Sequence, residues 1–269
     1  PGGKVVVETD MTDIGTGSYT ILAQIAGEIL GLPIESVEVR LGDTLFPVAF
    51  GSGGSMGAAS SGSAVALAAE SAVAELAARM GSSVQDMTLK DGHAIAGNRR
   101  IPIGDLVGEK AIEVSGSIKP GSTAYGAHFV EVAVSSVTGE TRVRRVTSVF
   151  AAGRILNAKT ARSQAIGGII WGIGGALTEE GVTDTRYGNF ANHDLAEYHV
   201  PVHADIPHLD VTFLPERDDK TNPLKIKGIG ELGISGVGAA VNNAIYNATG
   251  VRVYSFPITL DKLLPGLPT

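Results

Sequence analysis

Apolar side chains recur every four positions at Ile21, Ile25 and Ile29, with Leu22 and Ala26 beside them. That spacing predicts a helix from Ser18 to Leu30, stopped by Gly31 and Pro33. Ahead of it, Lys4–Met11 is rich in β-branched residues and reads as a strand, followed by the tight loop Gly15-Thr16-Gly17. Alternation over Val37–Leu41 marks a second strand. A glycine and serine loop over 51–63 opens an alanine-rich helix reaching Met80, with Val65, Ala69, Ala72 and Leu76 as its buried stripe. From 84 to 118 the pattern shortens into small strands and turns, such as Leu89-Lys90-Asp91-Gly92.

The clearest hairpin joins 126–136 to 141–151 through Thr138-Gly139-Glu140, and His128, Val130, Val132 and Val134 share one mostly apolar face. A further apolar helix runs from about Thr160 to Leu177, residues 181–200 read as turns and short strands, and Val211–Leu214 as another strand. The last helix spans Ser235 to Ala248, with Val237, Val241, Ala244, Ile245 and Ala248 on one face and Gly250 ending it. Hairpins and helical connections intermix, so the pattern predicts an α+β fold of mixed sheets with packed helices. No internal repeat or disordered tail is visible. The chain reads as a single region over 1–269, with two subdomains dividing near 81–118.

Composition sharpens this picture. Aromatic residues are 5% of the 269 residues and Gly numbers 36, so the core must pack through Ala, Val, Ile and Gly with backbones close together. The net charge is −7 and no basic stripe runs along the chain, which argues against a nucleic-acid binder. Lys225 and Lys227, and Arg142, Arg144 and Arg145, read as solvated strand faces. With no cysteine, the chain holds no Cys-ligated iron–sulfur cluster, Cys-type zinc site or disulfide. No apolar run approaches the roughly 20 residues that span a bilayer, so no membrane association is expected. Pro1-Gly2-Gly3-Lys4 does not resemble a signal peptide, and a start on Pro suggests a piece of a longer subunit.

Three glycine-rich turns precede helices: Gly15-Thr16-Gly17, Gly53-Gly54-Ser55-Met56-Gly57 and Gly228-Ile229-Gly230-Glu231. Such turns expose backbone N–H groups where an anion is favoured, although each also reads as an ordinary helix-start turn. Gly228–Gly233 fits the dinucleotide pattern G-x-G-x-x-G, but a poor strand precedes it and the first later acidic residue is Asp261. Glu231 sits among Ile229, Leu232, Ile234 and four glycines. At a helix N-terminus its carboxylate would be held as the anion, which suits a general base. It reads also as a capping carboxylate on a surface turn, and the bare residues favour that. His199 and His203 are four apart, but Pro201 breaks the helix that would align them on a metal. No serine-nucleophile elbow and no phosphate-loop lysine occurs.

The segment Lys225-Ile-Lys-Gly-Ile-Gly-Glu-Leu-Gly-Ile-Ser resembles the K-G-x-G-E stretch of the molybdenum hydroxylases, the xanthine dehydrogenase and aldehyde oxidoreductase family. The stretch after Gly236 and the closing Pro257-Ile-Thr resemble that family's last helix and tail. Asp13-Ile-Gly-Thr-Gly-Ser is similar to a pterin-contacting turn, with Thr16 where many relatives carry Gln, as in the aldehyde-oxidising branch. Gly53-Gly-Ser-Met-Gly-Ala is similar to a loop at the pterin's phosphate or dithiolene end. Gly153-Arg-Ile-Leu-Asn157 with Gln164-Ala-Ile-Gly-Gly resembles a further helix start, and Trp171-Gly172 stands where many relatives have Gln-Gly.

The resemblance implies a C-terminal part of a molybdenum-cofactor-binding subunit that hydroxylates aldehydes or N-heteroaromatic compounds, with Glu231 as the base acting on the Mo-OH group. It implies contacts to a molybdenum–molybdopterin cofactor, in plain or cytosine-dinucleotide form, from Gly15, Thr16, Gly17, Gly54, Ser55, Met56, Gly57, Gln164 and Gly230, with no metal ligand from this chain. It also implies partners: the N-terminal half of the same subunit, iron–sulfur and FAD subunits, and a small-molecule substrate. The family's glycine-rich first half is missing here, so this chain alone should bind the cofactor weakly or not at all and be inactive. The rival reading is a non-catalytic structural or interaction domain with the same fold. Cytoplasm and periplasm both remain open.

Overall fold

The computed structural model describes residues 2–119, 121, 123–206 and 208–267. They form two compact units, one of Pro1–Thr123, Gly153–Thr160 and Pro215–Gly228, the other of Ala124–Ala152, Ala161–Leu214 and Ile229–Thr269. Residues 81–118 fall inside the first unit.

In the first unit, β1 (Val5–Thr9) pairs in parallel with β2 (Val37–Leu41), and α1 (Ser18–Leu30) makes the crossover. β1 is shorter than the 4–11 stretch of β-branched residues suggested. Leu22, Ile25 and Ala26 of α1 are buried, and Gly31 turns the chain left-handed to close the helix, its N–H donating to Gly27 O. A single π-turn over Ala58–Gly62 leads into α2 (Ser63–Met80). The buried side of α2 is Ala66, Ala69, Leu76, Ala77 and Met80, while Val65 and Ala72 are half-buried, so the stripe is rotated from the one expected. Its upper part packs with Met11, Leu22, Ile25, Leu224 and Ile226, and its lower part with Met87, Ala94, Ala96 and Ile103. Ala94 and Ala96 come from β4 (His93–Ala96), which pairs antiparallel with β3 (Thr88–Lys90) and β5 (Arg99–Pro102), while Met87 just precedes β3 and Ile103 opens the short α3 (Ile103–Val107).

In the second unit, β6 (Tyr125–Val134) and β7 (Thr141–Ala151) form the expected hairpin, and β10 (Leu209–Phe213) adds in parallel on the other side of β7. The register shifts between Glu131 and Val132, yet His128, Val130, Val132 and Val134 all keep to the inner face. α4 (Ala158–Leu177) and α5 (Val237–Thr249) carry the apolar residues that fill the core: Ile169, Ile173, Val237, Val241 and Ile245. Each such buried side chain contributes about 1.5–3 kcal/mol relative to exposure. Ala248 is exposed, so the inner stripe of α5 stops at Ile245. A two-residue pair, β8 (Thr183–Asp184) with β9 (Asn189–Phe190), lies in 181–200, and α6 (Leu260–Leu263) comes near the end of the chain. Arg142, Arg144 and Arg145 are solvated on β7. Among the described residues no helix is long and apolar enough to cross a membrane.

Candidate functional site

The first glycine turn is built around Asp13. Its carboxylate accepts N–H bonds from Gly15 (2.8 Å), Thr16 (2.9 Å), Gly17 (3.4 Å) and Tyr19 (3.3 Å). Gly17 is the N-cap of α1 and has no side chain to cap with, so Asp13 serves that end from four residues upstream. Burial pushes the Asp13 carboxyl up, but the four backbone donors outweigh it and hold it below its ordinary value. The amides anticipated for an external anion are therefore turned onto the chain's own carboxylate. The Thr16 hydroxyl also turns inward, 3.5 Å from Asp13 Oδ1 and 3.2 Å from Ser18 Oγ, so the turn's open part is the backbone of Gly15, where an added Cβ would meet nothing within 4 Å.

The second loop stands against this turn. Thr12 Oγ1 donates to Ser52 Oγ (2.9 Å), and Met11 Sδ lies 3.1 Å from where a Gly57 Cβ would be. Ser55 takes a left-handed backbone (φ 56), and its carbonyl lies against Gly228 so closely that no side chain fits there. The two loops thus touch through their flanks in the first unit, Thr12 on Ser52 and Met11 on Gly57. Immediately behind the loop, the Ser61 and Ser63 hydroxyls are buried with no hydrogen-bond partner among the described residues. These two hydroxyls, together with backbone that is open at Gly15 and Gly53, fit a ligand rich in hydrogen-bonding atoms.

A buried ion pair anchors the chain that leads into the third turn. Lys227 Nζ lies 2.6 Å from Glu216 Oε1 and 3.3 Å from Asp218 Oδ2, and its side chain is only 5% exposed. Glu216 Oε2 accepts Gly153 N–H (2.8 Å), and Arg154 N–H donates to Lys225 O (2.9 Å). Glu216 foremost, with Asp218, raises the Lys227 pKa against the opposing effect of burial. Lys227 is therefore not the solvated residue its position suggested. It is a tether for Lys225–Gly228, and Lys225 pairs with Asp219.

Glu231 and Gly230 belong to the second unit, in the turn that runs into α5. Glu231 is exposed and stands six residues before Val237, the first residue of α5. The first turn of α5 itself holds no acidic residue. What holds the turn is backbone packing on α4. A Cβ at Gly168 would lie 2.7 Å from Ile234 N, one at Gly233 would lie 2.5 Å from Ala165 O, and one at Gly172 would lie 2.5 Å from Val237 Cβ. Gln164, half-buried, is on the same helix one residue before Ala165. Trp171 is 71% exposed.

From β6, His128 Nε2 lies 3.0 Å from Ser235 O, and Nδ1 lies 2.7 Å from the buried Ser148 Oγ of β7. Asp13, Lys227 and His128 were not singled out for any role in the sequence. Asp13 alone carried a signal, as an acidic residue just ahead of glycines and a helix. Among the described residues no group of three or more His, Asp or Glu could hold a metal ion.

Residues 1–207 match the molybdopterin cofactor-binding domain family, and the chain belongs to that family. It is 53% identical over 275 residues to the aldehyde oxidoreductase molybdenum-binding subunit PaoC of Escherichia coli O157:H7, covering 100% of this chain and 38% of that one. It is 31% identical over 281 residues to the xanthine dehydrogenase molybdenum-binding subunit of the same organism, covering 97% of this chain and 37% of that one. The quinoline 2-oxidoreductase of Pseudomonas putida 86 has the same fold, with a TM-score of 0.83 at 26% identity over 96% of this chain and 36% of the other. The chain thus spans well under half the length of the relatives it matches. The family match ends before Glu231, but the alignments with the two E. coli subunits cover 97–100% of the chain.

Proposed function

We propose that this chain is the C-terminal part of the molybdenum-cofactor-binding subunit of an oxidoreductase that hydroxylates aldehydes or N-heteroaromatic compounds, with Glu231 as general base. The observation that carries this reading is the 53% identity, along the whole chain, to a subunit named for aldehyde oxidation and molybdenum binding. It also favours an aldehyde as substrate. When bound, the cofactor supplies the two-electron redox chemistry. The residues that would hold it are Gly15, Thr16, Gly17, Gly54, Ser55, Met56, Gly57, Gln164 and Gly230. Ser61 and Ser63 add two buried hydroxyls to that inventory.

The Glu231 carboxylate takes up the proton that must leave the attacking oxygen nucleophile. General-base assistance of this kind contributes about 10²–10⁴-fold. A base must be held still as well as charged, and the close packing of Gly168 and Gly172 of α4 on Gly233, Ile234 and Val237 supports that demand. The remainder of the cofactor site, the iron–sulfur and FAD partners and the route for electrons lie outside this chain.

Metal and pterin analysis tests the reading. The complete subunit, purified with its partners, should carry molybdenum and pterin close to one per subunit, and this chain alone should carry little. Release of CMP on acid hydrolysis would mark the cytosine-dinucleotide form. A complete subunit that folds, assembles and holds no molybdenum would leave a non-catalytic interaction domain in its place.

A further inference from the structure

The turn that carries Glu231 has a second support, on the side of the sheet. The Ser235 carbonyl can only accept a hydrogen bond, so His128 Nε2 carries the hydrogen in that 3.0 Å contact. In the neutral ring Nδ1 is then the acceptor, and Ser148 Oγ donates to it at 2.7 Å. Ser148 is fully buried on β7, opposite His128 in the β6–β7 register. The ring edge packs against the fully buried Phe150, with centroids 5.4 Å apart. Its Cδ2 lies 3.6 Å from where a Gly236 Cβ would be, so the imidazole rests on the backbone of the turn. From the held residue, Ser235 Oγ donates to Glu231 O at 3.3 Å. One relay thus joins the β6–β7 hairpin to the residue proposed as base.

We propose that His128 is a positioning residue: oriented by Ser148, it grips the Ser235 carbonyl and fixes the turn that presents Glu231. A merely apolar role would be met by any side chain of similar bulk on this otherwise valine-lined face. The two directed hydrogen bonds are what that role leaves unexplained. The catalytic consequence rests on the reading of Glu231 as base, whereas the grip on the turn does not.

Two near-isosteric variants separate the bonds. The amide nitrogen of Gln reaches the place of Nε2, so H128Q keeps the donor to Ser235. The amide oxygen of Asn reaches only the place of Nδ1, so H128N keeps the acceptor for Ser148 and loses the grip. The experiment uses the complete enzyme with its partners and reads two quantities. One is amide hydrogen exchange over 229–236 by mass spectrometry. The other is the kcat and KM split with an aldehyde substrate. The expected result is faster exchange across that turn in H128N and H128A, with H128Q close to wild type. In parallel, kcat should fall by about 10-fold or more in H128N and H128A at unchanged KM and molybdenum content, because small misplacements of a reacting group cost rate steeply. H128Q should restore kcat. Wild-type exchange in H128N and H128A would overturn the proposal, as would an H128Q enzyme as slow as H128N. In an E231Q background the same exchange pattern should persist while H128N lowers kcat no further. Failure of the base assignment would therefore appear in E231Q turnover, and failure of the positioning role in the exchange.

Discussion

Two single side chains do work in the first unit that the chain's pattern did not announce. Asp13 gathers four backbone N–H groups at the start of α1, so its loss should cost more than an exposed carboxylate would. We expect D13A to lower stability by about 1–2 kcal/mol in urea unfolding, the usual value of a good cap. Its folded pKa is depressed below 3.8, so the stabilisation is present above the unfolded value and is lost as pH falls through the folded one. Wild type should therefore exceed D13N in stability at neutral pH, and the two should converge in strong acid. A constant difference across that range would contradict the assignment. Lys227 is the other case. K227M leaves Glu216 and Asp218 without their cation, and we expect a loss of about 2–3 kcal/mol, moderated by their partial exposure. Adding E216Q to K227M should recover part of the loss. A double variant weaker than K227M would count against a charge origin.

At the scale of elements, periodicity located most of the structure. The bounds of α1 and β2 fall where the pattern put them, because an uninterrupted apolar repeat and a left-handed glycine leave little freedom. The β6–β7 hairpin and its inner face were equally legible. The start of α2 was not, because a π-turn at Ala58–Gly62 shifts the helix phase and alanine contrasts weakly with its neighbours. Lys227 was misread because its carboxylate partners, Asp218 and Glu216, lie 9 and 11 residues upstream, beyond any local pattern. Gly168 and Gly172 of α4 are where the Glu231 turn lies down on the helix, a role that no local pattern of glycines discloses. G168A or G172A should overpack that contact and destabilise the second unit by about 1–3 kcal/mol. G167A is the control, since a Cβ there would meet nothing within 4 Å and alanine favours the helix. Equal stabilities for G167A and G168A in thermal unfolding would dismiss the packing argument.

For the whole molecule, the chain spans 38% of the E. coli aldehyde oxidoreductase subunit it resembles at 53% identity. Its family and α+β fold were legible in motifs, since Lys225–Ser235 and the glycine turns carry the resemblance. The division into two units was not legible at the residues where it falls, because segments 153–160 and 215–228 return to the first unit from afar. The proposed site residues divide accordingly, with the cofactor contacts Gly15–Gly17 and Gly54–Gly57 in one unit and Gln164, Gly230 and the base Glu231 in the other. The proposed base lies in the second unit, and the function stands or falls with it. The decisive measurement is steady-state turnover of E231Q in the complete, partner-bound enzyme, beside its molybdenum and pterin content. We predict a kcat lower by at least about 100-fold with cofactor content unchanged. Turnover within a few-fold of wild type at full cofactor loading would contradict the account.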